Sequence, residues 1–475
     1  MIPNAIAVMA IFIIGADILL LWSLEPIIRF AMKNSKFNIL LLFRLKNTIL
    51  FLMGIVFLSI SCKGQEKNFK VETVFEENTP ETYSIVGANQ TSNYLKLLRN
   101  KKVGVVANQT SVIFKPQSII FKQDYYDSET KTYKQKQVHQ WSFSKHTHLI
   151  DSLLSHNINI TKVFVPEHGF RGTADAGEII KDGKDIKTGL PIISLYGNNK
   201  KPTAAQMQDM DILIFDVQDV GVRFYTYIST LHYVMEACAE AGITLLILDR
   251  PNPNIHYIDG PILEPQYKSF VGIHPVPVVH GMTIGEYAKM INGEKWLENE
   301  IQCPLKIITV EHYNRSMSYS LPIKPSPNLP NDQAINLYPS LCFFEGTPLS
   351  EGRGTEMQFQ VFGSPDLPKT QYSFTFTPGS NEGAKNPKFN GQLCYGKDLR
   401  TEERLNNLNL EWLIEAYIAS GKKNNFFTPF FTSLSGTKKL QEQIEGGYTY
   451  RDIRATWLKD LKKYDTMRKP YLLYE

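Results

Sequence analysis

Short apolar runs recur through the middle of this chain, and each closes on a polar cluster. Residues 103–107 run into Asn108-Gln109-Thr110, and residues 163–165 into Pro166-Glu167-His168-Gly169. Residues 212–215 run into Asp216-Val217-Gln218-Asp219, and residues 245–248 into Asp249-Arg250-Pro251-Asn252. A fifth run, 276–279, leads into His280-Gly281-Met282-Thr283. Continuous apolar runs of this length, separated by helical stretches, predict parallel strands buried on both faces. Ligands of such sheets bind outside the carboxyl ends of the strands, where these polar clusters fall.

The intervening stretches have helical spacing. Residues 147–156 place Leu149, Ile150, Leu153 and Leu154 on one face. Residues 225–241 do the same with Ile228, Leu231, Met235 and Cys238, and Gly242 follows as a C-cap. A third helix is expected over 283–297, then a strand over 305–310. This βαβ alternation calls for right-handed crossovers and a parallel sheet. Residues 115–145, rich in Lys, Gln, Tyr and Ser, interrupt the pattern as a surface excursion. The His146-x-His148 pair at its end reads as a helix start rather than a metal site. Five prolines between Pro322 and Pro339 mark the expected boundary of a second domain. Beyond it the pattern predicts an alternating strand over 372–377 and helices over 410–419 and 450–461. The expected divisions are a targeting segment over 1–61, a tether over 62–100, a catalytic domain over 101–320 and an auxiliary domain over 321–475.

The amino terminus has a different character. Residues 48–60 are almost wholly apolar, end at Ser61-Cys62, and follow Lys33, Lys36, Arg44 and Lys46. A basic region, an apolar core and a small residue before cysteine describe a bacterial lipoprotein signal. Cleavage would leave Cys62 as a lipidated first residue, with a polar tether behind it. Ser59 stands where leucine is usual. An earlier apolar stretch, 5–21, is interrupted by Asp17, and a translation start at Met32 accounts for the two segments. The expected location is the cell envelope, in a membrane facing the periplasm or at the cell surface.

Charge narrows the partners. Five of the 51 basic and two of the 47 acidic side chains fall in the first 61 residues, so the remainder is nearly neutral, 46 against 45. A partner bound through nucleic-acid phosphates needs a basic surface, which this balance does not supply. The five cysteines form no CxxC pair and suggest no disulfide framework.

The chain contains no GxSxG, HExxH or Walker A motif, and no GxGxxG follows the first strand, which argues against a dinucleotide. Three clusters carry chemistry instead. Pro166-Glu167-His168-Gly169-Phe170-Arg171-Gly172 brings a carboxylate, an imidazole and a guanidinium to one strand end. Asp216, Gln218, Asp219, Arg223 and Tyr225 follow another. Glu345, Glu351, Arg353 and Glu356 occupy a glycine-rich loop in the second domain. Several carboxylates around a cleft, without a metal-ligand motif or nucleophilic serine, fit glycoside hydrolysis.

Taken in order, the segments 106–111 (VANQTS), 166–172 (PEHGFRG), 190–197 (LPIISLYG), 216–227 (DVQDVGVRFYTY), 249–253 (DRPNP), 345–347 (EGT) and 352–355 (GRGT) resemble the NamZ-type exo-β-N-acetylmuramidases. The resemblance implies an α/β fold: a Rossmann-like parallel-sheet domain, a smaller α+β C-terminal domain and an active-site cleft between them. It implies removal of terminal N-acetylmuramic acid from peptidoglycan fragments, without a cofactor or metal. The family's proposed catalytic glutamate falls on Glu167, with His168 beside it. Asn108, Arg171, Asp216, Gln218, Asp219, Arg223, Tyr225, Glu345, Glu351, Arg353 and Glu356 are the expected substrate-binding residues. Arg223 is the first choice for the lactyl carboxylate of muramic acid, ahead of Arg353 and Arg171. Two rivals remain at this stage: a lipoprotein that captures muropeptides without turnover, and another cell-wall hydrolase such as a deacetylase or amidase.

Overall fold

The computed structural model describes residues 83–475, except 116, 128–131, 143–144, 168, 171–181 and 422–423. The expected targeting segment, Cys62, His168 and Arg171 therefore lie outside the described residues. The chain forms two compact units, residues 1–74 with 124–135 and residues 75–123 with 136–475. The fold that follows is that of the second. None of its described helices is long and apolar enough to cross a membrane.

Its centre is a seven-stranded sheet. In chain order the strands are β1 (Lys102–Ala107), β2 (Asn159–Val165), β3 (Gly183–Lys184), β4 (Pro191–Ser194), β5 (Ile212–Asp216), β6 (Thr244–Leu248) and β7 (Leu305–Ile308). Their spatial order is β7-β6-β5-β1-β2-β4-β3. All neighbours are parallel except the short β3, which pairs antiparallel with β4. Strands β1, β2, β5, β6 and β7 form where the sequence predicts them, whereas β3 and β4 lie where no strand is expected. The central strands are covered on both faces: every residue of β5 is buried, and in β1 only Lys102 is exposed. The run 276–279 is a correction. It has the composition of a strand but joins no ladder. Val279 makes only isolated bridges to Val222 and Asp259, because this segment packs over the loops at the sheet's end.

Helix α1 (Leu149–Ser155) starts at His148, whose ring accepts a hydrogen bond from the Ile150 N–H. The imidazole is thus a cap, as the helix-start reading expects. Helix α2 (Tyr227–Ala241) ends at Gly242, whose φ of 67° suits a residue without Cβ. Helix α3 (Ile284–Gly293) opens with a capping box between Thr283 and Glu286. The excursion leaves and rejoins through a small ladder, 112–114 against 146–148, and consists of two long strands paired with each other, Gln117–Asp127 and Thr132–Ser142.

Among the described residues, the carboxyl-terminal part carries a three-stranded antiparallel sheet and five further α-helices, the last running from Tyr450 to Arg468. One hydrophobic cluster continues from Phe215 and Leu231 through Leu329 and Ile335 to Phe343, Phe431 and Trp457. The core is therefore continuous across the proline-rich stretch. Helix α4 (Asp332–Leu341) accommodates Pro339 in its last turn. The chain end folds back onto the sheet: the Tyr474 hydroxyl donates to Asp249 at 2.6 Å.

Asp249 also accepts from the Thr283 hydroxyl (2.7 Å) and the Gly285 N–H (2.9 Å), so it holds the start of α3 to the end of β6. Burial pushes its carboxyl up to about 6, against the lowering effect of these hydrogen bonds. Between about pH 4 and pH 6 the folded protein keeps a proton that an unfolded aspartate has released, so this group's contribution to stability falls as pH rises. Asp249→Asn is expected to remove that trend. Relative to wild type, its unfolding free energy should rise by on the order of 3 kcal/mol from pH 4 to pH 7. Urea unfolding at both pH values measures this, and parallel curves would refute it.

Candidate active site

The pocket that gathers the chemistry is a cavity of about 580 Å³ at the carboxyl ends of β2, β4 and β5. One wall carries Glu167, Tyr196, Lys200, Tyr225, Thr226, Tyr227 and Phe270. The other carries Ser326, Asn328, Tyr338, Glu345, Arg353 and Phe359. The volume lies in the range of small-ligand sites.

Glu167 sits in the turn directly after β2. Its Oε2 accepts from the Thr226 hydroxyl at 2.7 Å. Tyr196, two residues past β4, hydrogen-bonds the same carboxyl. Burial first, and then the charge and hydrogen bond of Glu167, push the tyrosine hydroxyl above its usual range. Tyr227 fixes the backbone of this turn. Its hydroxyl accepts from Asn108 Nδ2 at 2.9 Å and lies 3.4 Å from the carbonyls of Glu167 and Pro325. Two strand ends and the start of α2 therefore hold one carboxyl at the pocket wall.

On the opposite wall, Arg353 bridges two carboxylates, Glu345 at 2.9 Å and Glu351 at 3.2 Å, and lies over the Phe359 ring. Burial alone would lower its pKa; the two carboxylates outweigh burial and raise it. Lys388 donates to the carbonyls of Phe344, Thr347 and Leu349 and lies 3.3 Å from Glu351, which tightens the loop around the pair.

Of the residues expected from sequence, Glu167, Tyr225, Glu345 and Arg353 come together on this pocket. The other described residues of that set lie off the pocket lining. Arg223 is fully buried, and its guanidinium donates to the carbonyls of Pro261, Val276, Leu434 and Ser435 at 2.7–2.9 Å. Burial lowers its pKa to about 9. It ties the carboxyl-terminal helices to the loops above the sheet and is not on the pocket lining. Asp216 is completely buried and paired with Arg250, Nε to Oδ1 at 2.6 Å. That pair fills the switch point between β1 and β5, where an open α/β sheet would otherwise offer its crevice.

Gln218 donates to the carbonyls of Asp219 and Pro251. Asp219 accepts from the Gly221 N–H at 2.7 Å, a local turn rather than a ligand contact. Asn108 acts behind the pocket through Tyr227. Glu351 supports Arg353 from below, and Glu356 is exposed away from the pocket. Sequence reasoning passed over Tyr196 and Thr226, although both lie within segments that carry the resemblance; hydroxyl residues there give no local sign of facing a carboxyl.

A carboxyl at the end of a parallel strand, inside a polar and aromatic pocket, supplies one of the carboxyl groups that glycoside hydrolysis uses. Comparison with known proteins agrees in detail. The family descriptions for exo-beta-N-acetylmuramidase NamZ match in order, the N-terminal one over residues 136–333 and the C-terminal one over residues 336–474. The peptidoglycan beta-N-acetylmuramidase NamZ of Bacillus subtilis (strain 168) is 40% identical over 337 residues, covering 67% of this chain and 80% of that protein. A crystal structure of a DUF1343 family protein from Bacteroides fragilis NCTC 9343 is 43% identical with a TM-score of 0.71, covering 83% of this chain and 99% of that one. A second from the same organism is 25% identical with a TM-score of 0.66, covering 83% and 100%. The chain belongs to the NamZ exo-β-N-acetylmuramidase family.

Proposed function

We propose that this protein is an exo-acting glycosidase that releases terminal β-linked N-acetylmuramic acid from peptidoglycan fragments, with Glu167 as general acid. The observation that carries this reading is the setting of Glu167. Its carboxyl lines a cavity large enough for a sugar, hydroxyl groups position it, and its turn is pinned by Tyr227. An acid placed in this way protonates the glycosidic oxygen as the bond to the sugar breaks. Aromatic side chains on both walls suit the apolar faces of a pyranose ring, and the hydroxyl and amide groups between them suit its polar edge.

The test is direct. The protein from Lys63 onward is incubated with a disaccharide bearing muramic acid at its non-reducing end, and the products are identified by mass. Free N-acetylmuramic acid is the expected product. Binding without cleavage would turn the reading toward a capture protein, and release of acetate or of a peptide would turn it toward a deacetylase or amidase.

The same reading includes attachment to a membrane through lipid on Cys62, supported by the basic and apolar segments that precede Ser61-Cys62. Cys62→Ala is expected to release the protein from the membrane fraction or to leave its signal uncleaved. Unchanged retention with unchanged mass would refute lipidation.

A further inference from the structure

Among the described residues, two cations line the active-site pocket, and their circumstances differ. Arg353 is paired with both Glu345 and Glu351. Lys200 is half-buried on the opposite wall, its Nζ 4.8 Å from the centre of the Phe270 ring. Among the described residues, no carboxylate lies within ion-pair distance of Lys200. Its neighbour Lys201 turns the other way and is matched by Glu236 at 3.2 Å and Glu240 at 2.7 Å. The Lys200 ammonium is thus an anion-seeking group on the wall of a polar pocket, without an anion of its own among these residues.

Its position is fixed. Phe270, over which it rests, is stacked near Tyr233 of α2 and edge-on to Tyr196 at 6.0 Å. The Phe270 carbonyl accepts from the Ser229 hydroxyl at 2.7 Å. Tyr196 in turn contacts Glu167. The sequence of contacts Glu167, Tyr196, Phe270, Lys200 places the ammonium two aromatic rings from the acid, along the wall that a bound sugar would follow. A cation over an aromatic face keeps its remaining N–H groups free to donate to an anion.

We infer that Lys200 is the specificity residue of this pocket and that it receives the carboxylate of the substrate's 3-O-lactyl group. The inference rests on the proposed muramidase reading. It gives to Lys200 the role that sequence reasoning assigned to Arg223. An ammonium at this place distinguishes an anionic muramic residue from an uncharged N-acetylglucosamine residue, which lacks the 3-O-lactyl group. Its contribution is a charge-assisted hydrogen bond in a partly water-excluded site.

The experiment compares wild type, Lys200→Met and Lys200→Arg on an aryl β-N-acetylmuramide and on the same compound with its lactyl carboxylate reduced to the alcohol. Free N-acetylmuramic acid and N-acetylglucosamine serve as competing inhibitors. The expected result for Lys200→Met is a loss of about 10- to 100-fold in kcat/KM on the anionic substrate and a matching rise in the inhibition constant of N-acetylmuramic acid. Values for the reduced substrate and for N-acetylglucosamine should stay within about threefold, a small fraction of that loss. Lys200→Arg should restore most of the discrimination. Equal losses on charged and uncharged ligands, or no loss on either, would overturn the assignment and leave Lys200 as packing over Phe270. If the wild-type enzyme cleaves no muramide, the muramidase reading itself fails, and calorimetric titration of N-acetylmuramic acid and of N-acetylglucosamine into wild type and Lys200→Met still decides whether Lys200 binds the carboxylate.

Discussion

Glu167→Gln is expected to abolish most turnover while leaving the fold intact. The amide has the volume of the acid, and its oxygen can still accept from the Thr226 hydroxyl that contacts the carboxylate at 2.7 Å. What disappears is the transferable proton. General acid catalysis contributes about 10²–10⁴-fold, so kcat on a disaccharide should fall by that order. An aryl glycoside needs little protonation of its leaving group, and the loss there should be much smaller. Thermal unfolding of the variant should match wild type. A fully active Glu167→Gln would remove Glu167 from the chemistry. A dead variant that aryl substrates do not rescue would make the residue a nucleophile, a base or a binding group instead.

The second large effect is on stability. Arg250→Met leaves Asp216 with no partner for its charge at the centre of the sheet's end. Asp216 is wholly buried, and Arg250 is 4% exposed; the guanidinium contacts Oδ1 at 2.6 Å and Oδ2 at 3.0 Å, and it also donates to the Val112 carbonyl. Breaking a buried ion pair from one side costs about 3–5 kcal/mol, more than an isolated surface pair could ever contribute. Urea unfolding at neutral pH should show this loss. The double variant Asp216→Asn, Arg250→Met should recover part of it, because no unpaired charge then remains. A loss below about 1 kcal/mol for Arg250→Met would mean that water reaches Asp216 and that the pair is not structural.

These two predictions concern residues that look alike in the sequence. Glu167 and Asp216 each stand at the end of a buried strand, each belongs to a motif shared with the family, and each stands among other polar groups. One carboxyl faces a cavity and the other is neutralised 34 residues away along the chain. Arg223 and Lys200 make the same contrast among cations. The arginine lies in the more conspicuous motif, yet its partners include the carbonyls of Leu434 and Ser435, more than 200 residues on. The lysine lies in an undistinguished stretch and faces the pocket.

The sequence by itself determined the parallel sheet, most helix positions and the strand ends where chemistry gathers. These are local properties: a strand covered on both faces needs a continuous apolar run, a helix needs its spacing and caps, and both are written in neighbouring residues. The misleading strand at 276–279 marks the limit of that reasoning, since apolar composition reports burial and not pairing. The tertiary structure alone decided which polar groups are spent inside the protein and which remain for a ligand. That outcome depends on partners brought together from distant parts of the chain. A buried charge must be neutralised by whatever the fold places beside it, so whether Arg223 or Lys200 stays available is decided by the packing of the carboxyl-terminal helices against the sheet's end, and neither motif records it.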